Sequence, residues 1–200
     1  MDAKQKKGDV QAFERRSATY EGSARQGLFF DRVQKTVLDL VQNGDKVASI
    51  LDVGCGTGRL LRKAQERWSK VRLFGVDPAE GMIEKARQLL PEARFYVGRA
   101  ESLPLPDDSV DVVLSTSSFH HWVDQAAGVR EIARVLREDG RVILADIVIP
   151  KGLSWIIHHF ARNNPVKTRE MFVQAGLKIE AQNRRMARLL VITVGKKATS

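Results

Sequence analysis

The sequence predicts an α/β domain with a doubly wound, mostly parallel seven-stranded sheet, helices on both faces and an antiparallel C-terminal strand. Three observations carry this. Short apolar runs alternate with segments of helical spacing. The runs mostly lack period-two alternation, as expected of strands covered on both faces. A glycine-rich turn, "DVGCGTG" (52–58), joins the first run to the first helix after it, which is where open α/β sheets bind ligands. Two hundred residues with 43% hydrophobic content suffice for one core, so residues 1–200 are expected to form a single domain. Within it, 1–44 form an N-terminal arm and a covering helix, 45–149 the ligand-binding core, and 150–200 a short substrate-side segment, a helix and a terminal strand pair.

The elements follow in order. Residues 1–28 read as a polar, partly helical arm, and "FFDRVQKTVLDLVQ" (29–42) as the covering helix. Five apolar runs are strands: "VASILDV" (47–53), "VRLFGVD" (71–77), "ARFYV" (93–97), "SVDVVLS" (109–115) and "RVILADIVI" (141–149). Between them "RLLRKAQERW" (59–68), "AEGMIEKARQLL" (79–90) and "DQAAGVREIARVLRE" (124–138) have helical spacing. In the last of these Ile132, Val135 and Leu136 share a face, Asp124 is the expected N-cap and Gly140 the expected stop. "TREMFVQAGL" (168–177) is a further helix with Phe172 in the core, and "KIEAQNRR" (178–185) and "ARLLVITVG" (187–195) a terminal strand pair.

Net charge is +9, and its distribution is uneven. Residues 151–200 hold 10 basic and 2 acidic groups, whereas 45–150 hold 15 and 16. A basic end on a nearly neutral body either solvates the surface or attracts an anionic partner. The start, "MDAKQKKGDV", has the features of neither a signal nor a transit peptide, and no run approaches membrane-spanning length. Cys55 is the single cysteine, which leaves no disulfide partner and no cysteine set for zinc. A cytoplasmic location is therefore expected, and no metal site.

The glycine loop narrows the ligand. Counting from Gly54 gives Gly56 and Gly58, with Arg59 where a dinucleotide fingerprint needs its last glycine, and no Gly-Lys-Ser/Thr of a nucleotide-phosphate loop follows. G-x-G-x-G preceded by Asp52 suits a ligand that carries positive charge. The second strand ends in Asp77, 23 residues after Gly54, where a carboxylate can accept the hydroxyl hydrogens of a ribose and has no apparent packing purpose.

These residues resemble the class I S-adenosylmethionine-dependent methyltransferases, specifically the branch that includes the ubiquinone/menaquinone and biotin-biosynthesis methyltransferases. The resemblance covers roughly residues 11–149. "FERRSATYE" resembles the family's N-terminal motif, "LDVGCGTG" its first and "GVDPAEGMIEKAR" its second; "AESLPLPDDSVDVVLSTSSFHHW" and "EIARVLREDGRVILADI" resemble the rest. The resemblance implies a Rossmann-like fold and S-adenosyl-L-methionine as cofactor. It implies that Gly54 and Gly56 let the loop pass under the methionine part, that Asp77 holds the ribose, and that Pro78 and Met82 flank the adenine. Ala100 would meet the adenine edge through its amide, Ser115 would line the methionine end, Asp52 would set a negative field near the ammonium or sulfonium, and Tyr20 would close over the cofactor. Met82 can equally be core, Asp52 a turn cap, and Tyr20 an anchor for the arm. The pattern departs at Arg99, where relatives commonly have Asp or Asn; arginine has donors only and cannot accept from the adenine amine.

Methyl transfer is an in-line displacement in which the protein aligns the acceptor and excludes water. A base is needed only for an acceptor that is protonated. His120 and His121 of "FHHW" (119–122) follow the fourth strand and are the candidate catalytic residues; a packed wall beside Phe119 and Trp122 is the plainer role. The Asn/Asp-Pro-Pro-aromatic stretch of nucleic-acid amino methyltransferases is missing, since that place reads "STSSF" and "NNPV" (163–166) comes too late. A short apolar stretch with Trp155, Ile156, Ile157 and Phe160 is the available acceptor cover. The expected function is methyl transfer to a small, acidic or aromatic/amphipathic acceptor, with a small molecule that can be anionic as partner and nucleic acid less favoured. Two alternatives stand beside it: an RNA or protein methyltransferase using the basic last quarter, and a non-catalytic methyltransferase-like subunit that binds a partner.

Overall fold

The strand–helix alternation folds into a seven-stranded sheet in a computed structural model that describes residues 24–41, 47–148, 164–185 and 189–198. Tyr20, Trp155, Ile156, Ile157 and Phe160 lie outside the described residues. In chain order the elements are α1 (Ala24–Asp39), β1 (Ser49–Val53), α2 (Arg59–Arg67), β2 (Arg72–Asp77), α3 (Glu80–Leu89), β3 (Arg94–Val97) and β4 (Val110–Thr116). A short 3-10 turn (Phe119–His121), α4 (Gln125–Val135), β5 (Leu136–Ile147), α5 (Pro165–Gln174), β6 (Leu177–Arg185) and β7 (Leu190–Lys197) complete them.

The strand order is β3-β2-β1-β4-β5-β7-β6. Strands β1 to β5 pair in parallel, and β7 runs antiparallel between β5 and β6. The order reverses between β1 and β4, which opens a crevice at their C-terminal ends. All five residues of β1 are buried. Ile50 packs with Leu60, Leu61, Ile83 and the α1 residues Val33 and Val37 on one side, whereas Leu51 and Val53 pack with Val129 and Ile132 of α4 and Phe172 of α5 on the other. Two covered faces explain why the strands read as continuous apolar runs.

Local sequence sets the helix ends. Asp124 accepts from the amide of Ala127 as the N-cap of α4, as expected. The expected helix over 124–138 is a correction, because α4 stops at Val135 and Gly140 ends no helix. The Arg134 and Val135 carbonyls accept from the amides of Asp108 and Ser109, and buried Leu136 pairs with Val110 of β4. The pairing then jumps from Val110↔Leu136 to Val112↔Arg141, so residues 137–140 bulge out of the sheet. Helix α5 likewise begins earlier than expected: Asn164 caps it by accepting from Val166, and Pro165 occupies its first turn, where no amide is needed. Phe172 is fully buried. Among the described residues no helix is long and apolar enough to cross a membrane.

Candidate functional site

The C-terminal ends of β1, β2 and β4 bring the predicted residues together. Where β1 ends, the Gly54 and Cys55 amides both donate to the Val76 carbonyl of β2, at 2.8 and 3.1 Å, which bends the chain sharply away from the sheet. Gly54 has φ +77°, and a Cβ there would lie 1.8 Å from Ser118 Oγ, so the loop after β4 sits directly against the bare backbone. Gly56 has φ +52°, and a Cβ there would meet nothing within 4 Å. The loop is thus pressed on one side and open at its middle glycine, the form of a cradle.

Asp77 ends β2 and fixes this loop. Its Oδ2 accepts from the Gly56 amide and its Oδ1 from the Ala79 amide, each at 2.9 Å. A carboxylate at this strand end therefore has a structural purpose, contrary to the expectation that it had none. A carboxylate oxygen can accept more than one hydrogen, so these two backbone bonds do not by themselves bar a ligand hydroxyl. Asp52 lies in β1 between Gly75 and Leu114 and is 2% exposed. Among the described residues its Oδ1 has no hydrogen-bond partner. Burial, with the charge of Asp77 added, pushes its carboxyl up to about 8. It caps no turn through that oxygen; it is a buried acceptor that lacks a donor or a cation.

The other predicted residues surround this centre in different ways. Ser115 is buried, and its hydroxyl donates to the Val53 carbonyl at 2.8 Å, tying β4 to β1. Met82 is 1% exposed on α3, and Pro78 is half-buried in the turn before it. Ala100 is buried in the turn after β3, where Arg99 is exposed. That turn is held from α4: Arg134 donates to the Leu103 carbonyl at 3.0 Å and the Leu105 carbonyl at 2.9 Å, while Glu131 accepts from the Leu103 amide at 2.8 Å. The bond from Arg134 holds the Glu131 carboxyl below its ordinary range.

His120 and His121 occupy the 3-10 turn with ring centroids 4.0 Å apart, His120 buried and His121 half-buried. His120 Nδ1 lies 2.8 Å from Asp146 Oδ1, and its backbone amide donates to Asp146 Oδ2 at 2.8 Å. Trp122 donates from Nε1 to Ser118 Oγ at 3.1 Å, which steadies the hydroxyl that faces Gly54. Sequence reasoning missed Ser118 and Asp146. Asp146 had a signal, since it is a lone carboxylate in the apolar run "RVILADIVI". Among the described residues no group of three or more His, Cys, Asp or Glu is placed to hold a metal ion.

The donor set fits the cofactor implied by the motifs. A buried carboxylate oxygen without a partner among the described residues, an open glycine cradle and a carboxylate at the end of β2 suit a ligand with a cationic end and a ribose. Comparisons with known proteins agree. A family model described as a methyltransferase domain matches residues 51–144. The chain is 41% identical over 107 residues to an uncharacterized methyltransferase of Mycobacterium tuberculosis, a match spanning 54% of this chain and 43% of that protein. It is 30% identical over 154 residues to the demethylmenaquinone methyltransferase of Thermotoga maritima, spanning 75% and 66%. Among solved structures it superposes with a TM-score of 0.77 and 25% identity on a chain of the complex between the Haloferax volcanii Trm112 methyltransferase activator and a methyltransferase, covering 94% of this chain and 98% of that one. The chain spans about half the length, or less, of the first curated relatives it matches. With the sheet order, the glycine cradle and these likenesses in agreement, the chain belongs to the class I S-adenosylmethionine-dependent methyltransferases and resembles their ubiquinone/menaquinone branch.

Proposed function

We propose that the protein is an enzyme that binds S-adenosyl-L-methionine at the β1–β2–β4 crevice and transfers its methyl group to a small acceptor. The observation that carries this reading is the buried Oδ1 of Asp52 at the foot of the glycine loop, which has no hydrogen-bond partner among the described residues. When bound, the cofactor supplies an electrophilic methyl on a cationic sulfur. The cationic methionine end favours the ionised form of Asp52, which then supplies a negative field, and Gly54 and Gly56 let the backbone approach it. Asp77 accepts from the ribose while keeping its two backbone bonds. Pro78 and Met82 flank the adenine, Ala100 meets its edge, and Ser115 holds the two strand ends together at the methionine side. His120 or His121 takes a proton where the acceptor has one to lose.

The acceptor is a small molecule, acidic or aromatic/amphipathic. The charge pattern supports this over an RNA substrate, because two of the last quarter's ten cations already pair with acidic side chains of the preceding segment. Lys196 pairs with Asp139 at 2.7 Å, and Lys197 donates to Asp108 at 2.6 Å and to the Leu136 carbonyl at 2.7 Å. A phosphate-binding surface needs such groups free to displace counterions. The test is a metabolite screen: protein and cofactor are incubated with a small-molecule cell extract, and masses increased by one methyl are sought. New methylated metabolites are expected. Methylation confined to RNA or protein fractions would transfer the assignment to those acceptors, and cofactor binding with no product in any fraction would favour a non-catalytic subunit.

A further inference from the structure

The Asp146–His120 pair is unusual for a sheet end. Asp146 is the penultimate residue of β5, with its side chain fully buried, and its carboxylate accepts from three groups. Two are the amides of His120 and Ile147, at 2.8 and 2.7 Å; the third is His120 Nδ1 at 2.8 Å. The backbone bond ties the turn to β5, and the imidazole contact adds a second link through the ring. A carboxylate is acceptor-only, so the hydrogen belongs on Nδ1, and the lone pair is left on Nε2. The ring is fixed in orientation and tautomer, as a proton acceptor requires. Its place also fits, since His120 lies two residues after Ser118, whose hydroxyl faces the bare backbone of Gly54.

We propose that Asp146 positions His120 as the proton acceptor of the transfer, and that the methylated atom is consequently an O–H, N–H or acidic C–H centre rather than a carboxylate. This rests on the methyl-transfer reading above. The acceptor atom forms a bond to the methyl carbon as the carbon–sulfur bond breaks, with the electron pair of that bond remaining on sulfur. The acceptor's proton passes to the buried Nε2 of His120, which leaves the imidazolium paired with Asp146. A carboxylate acceptor has no proton to give and would leave the oriented imidazole without use. An acid group elsewhere on the acceptor remains compatible with the basic last quarter.

The experiment uses the full chain, methyl-labelled S-adenosylmethionine and a small-molecule cell extract. Products are treated with mild alkali, which saponifies methyl esters to volatile methanol and spares ethers, amines and carbon-bound methyl groups. Label resistant to alkali is expected; label released as methanol would overturn the inference while leaving methyl transfer intact. Asp146→Asn and His120→Gln should lower label transfer by about 100-fold or more, with cofactor affinity by calorimetry within about twofold of wild type. Variants that transfer at the wild-type rate would overturn the proposal. Should the variants not fold, histidine 15N shifts of the wild-type protein decide: Nδ1 protonated and Nε2 unprotonated at His120 supports it, and the opposite tautomer refutes it. Bound cofactor with no labelled product from any extract would remove the methyl-transfer reading itself, and this inference with it.

Discussion

The Gly56 amide donates to Asp77 Oδ2 at 2.9 Å, so the residue expected to hold the ribose also holds the loop that lies beneath the ligand. One carboxylate thus couples two parts of the crevice. Replacing it leaves two backbone amides without their acceptor and, on the proposed reading, removes the ribose contact as well. Asp77→Ala is expected to weaken cofactor binding by about 1.5–3 kcal/mol, the range for charge-assisted hydrogen bonds. Asp77→Asn keeps one carbonyl oxygen and should cost less. Calorimetric titration checks both, and equal affinity for wild type and Asp77→Ala would remove Asp77 from the site.

Gly54→Ala should destabilise the fold by roughly 1–3 kcal/mol, because it combines a left-handed backbone with a collision against Ser118. Adding Ser118→Gly should recover part of that loss, since it removes the colliding side chain but not the backbone strain. A double-mutant cycle in urea measures this. Strict additivity would mean that the loop after β4 does not press on Gly54.

The pH dependence of stability follows from Asp52. Burial raises its carboxyl from 3.8 to about 8, so the native state keeps a proton that the unfolded chain has lost across that window. Stability therefore falls as pH rises from about 4 towards 8 and levels off above, with a slope up to about 1.4 kcal/mol per pH unit from this one group. Asp31 and Asp39 are held low by hydrogen bonds from lysines and act in the opposite sense, losing their contribution only as pH falls below about 4. Asp52→Asn should flatten this slope in thermal or urea unfolding between about pH 4 and 8. Cofactor affinity should rise over the same pH range, because a cationic ligand favours the ionised carboxylate. An unchanged slope in Asp52→Asn would contradict this account.

Arg134→Ala should loosen the turn that carries Ala100, because the guanidinium bonds the Leu103 and Leu105 carbonyls as well as Glu131 and Asp107. A loss of about 1–3 kcal/mol in stability is expected, together with weaker cofactor binding and faster amide exchange at residues 100–105. Exchange confined to α4 would show that the clamp serves the helix alone.

Much of this arrangement was legible because it is local. A strand ending in Asp77, glycines at alternate positions and the cap at Asp124 each express themselves within a few residues. What was hidden depends on distant chain segments. The end of α4 at Val135 is set by amides of residues 108 and 109 and by pairing with Val110, so helical periodicity through residue 138 was overridden by the sheet. His120 and Asp146 are 26 residues apart, and the meeting of Ser118 with Gly54 crosses from one strand end to another. No spacing rule reaches across parallel strands, and a lone acidic residue in an apolar run was the single clue to one of the two partners.

The central claim is that the crevice recognises a cationic adenosyl ligand rather than a pyrophosphate-bridged dinucleotide. Isothermal titration of the full chain with S-adenosylmethionine, its demethylated product and NAD tests it most directly, because the three share an adenosine and differ in what lies over Gly54 to Gly58. The arrangement of Asp52 beneath the loop, with Arg59 in place of a further glycine, predicts binding of the first two and none of NAD. Measurable NAD affinity with no binding of S-adenosylmethionine would contradict it.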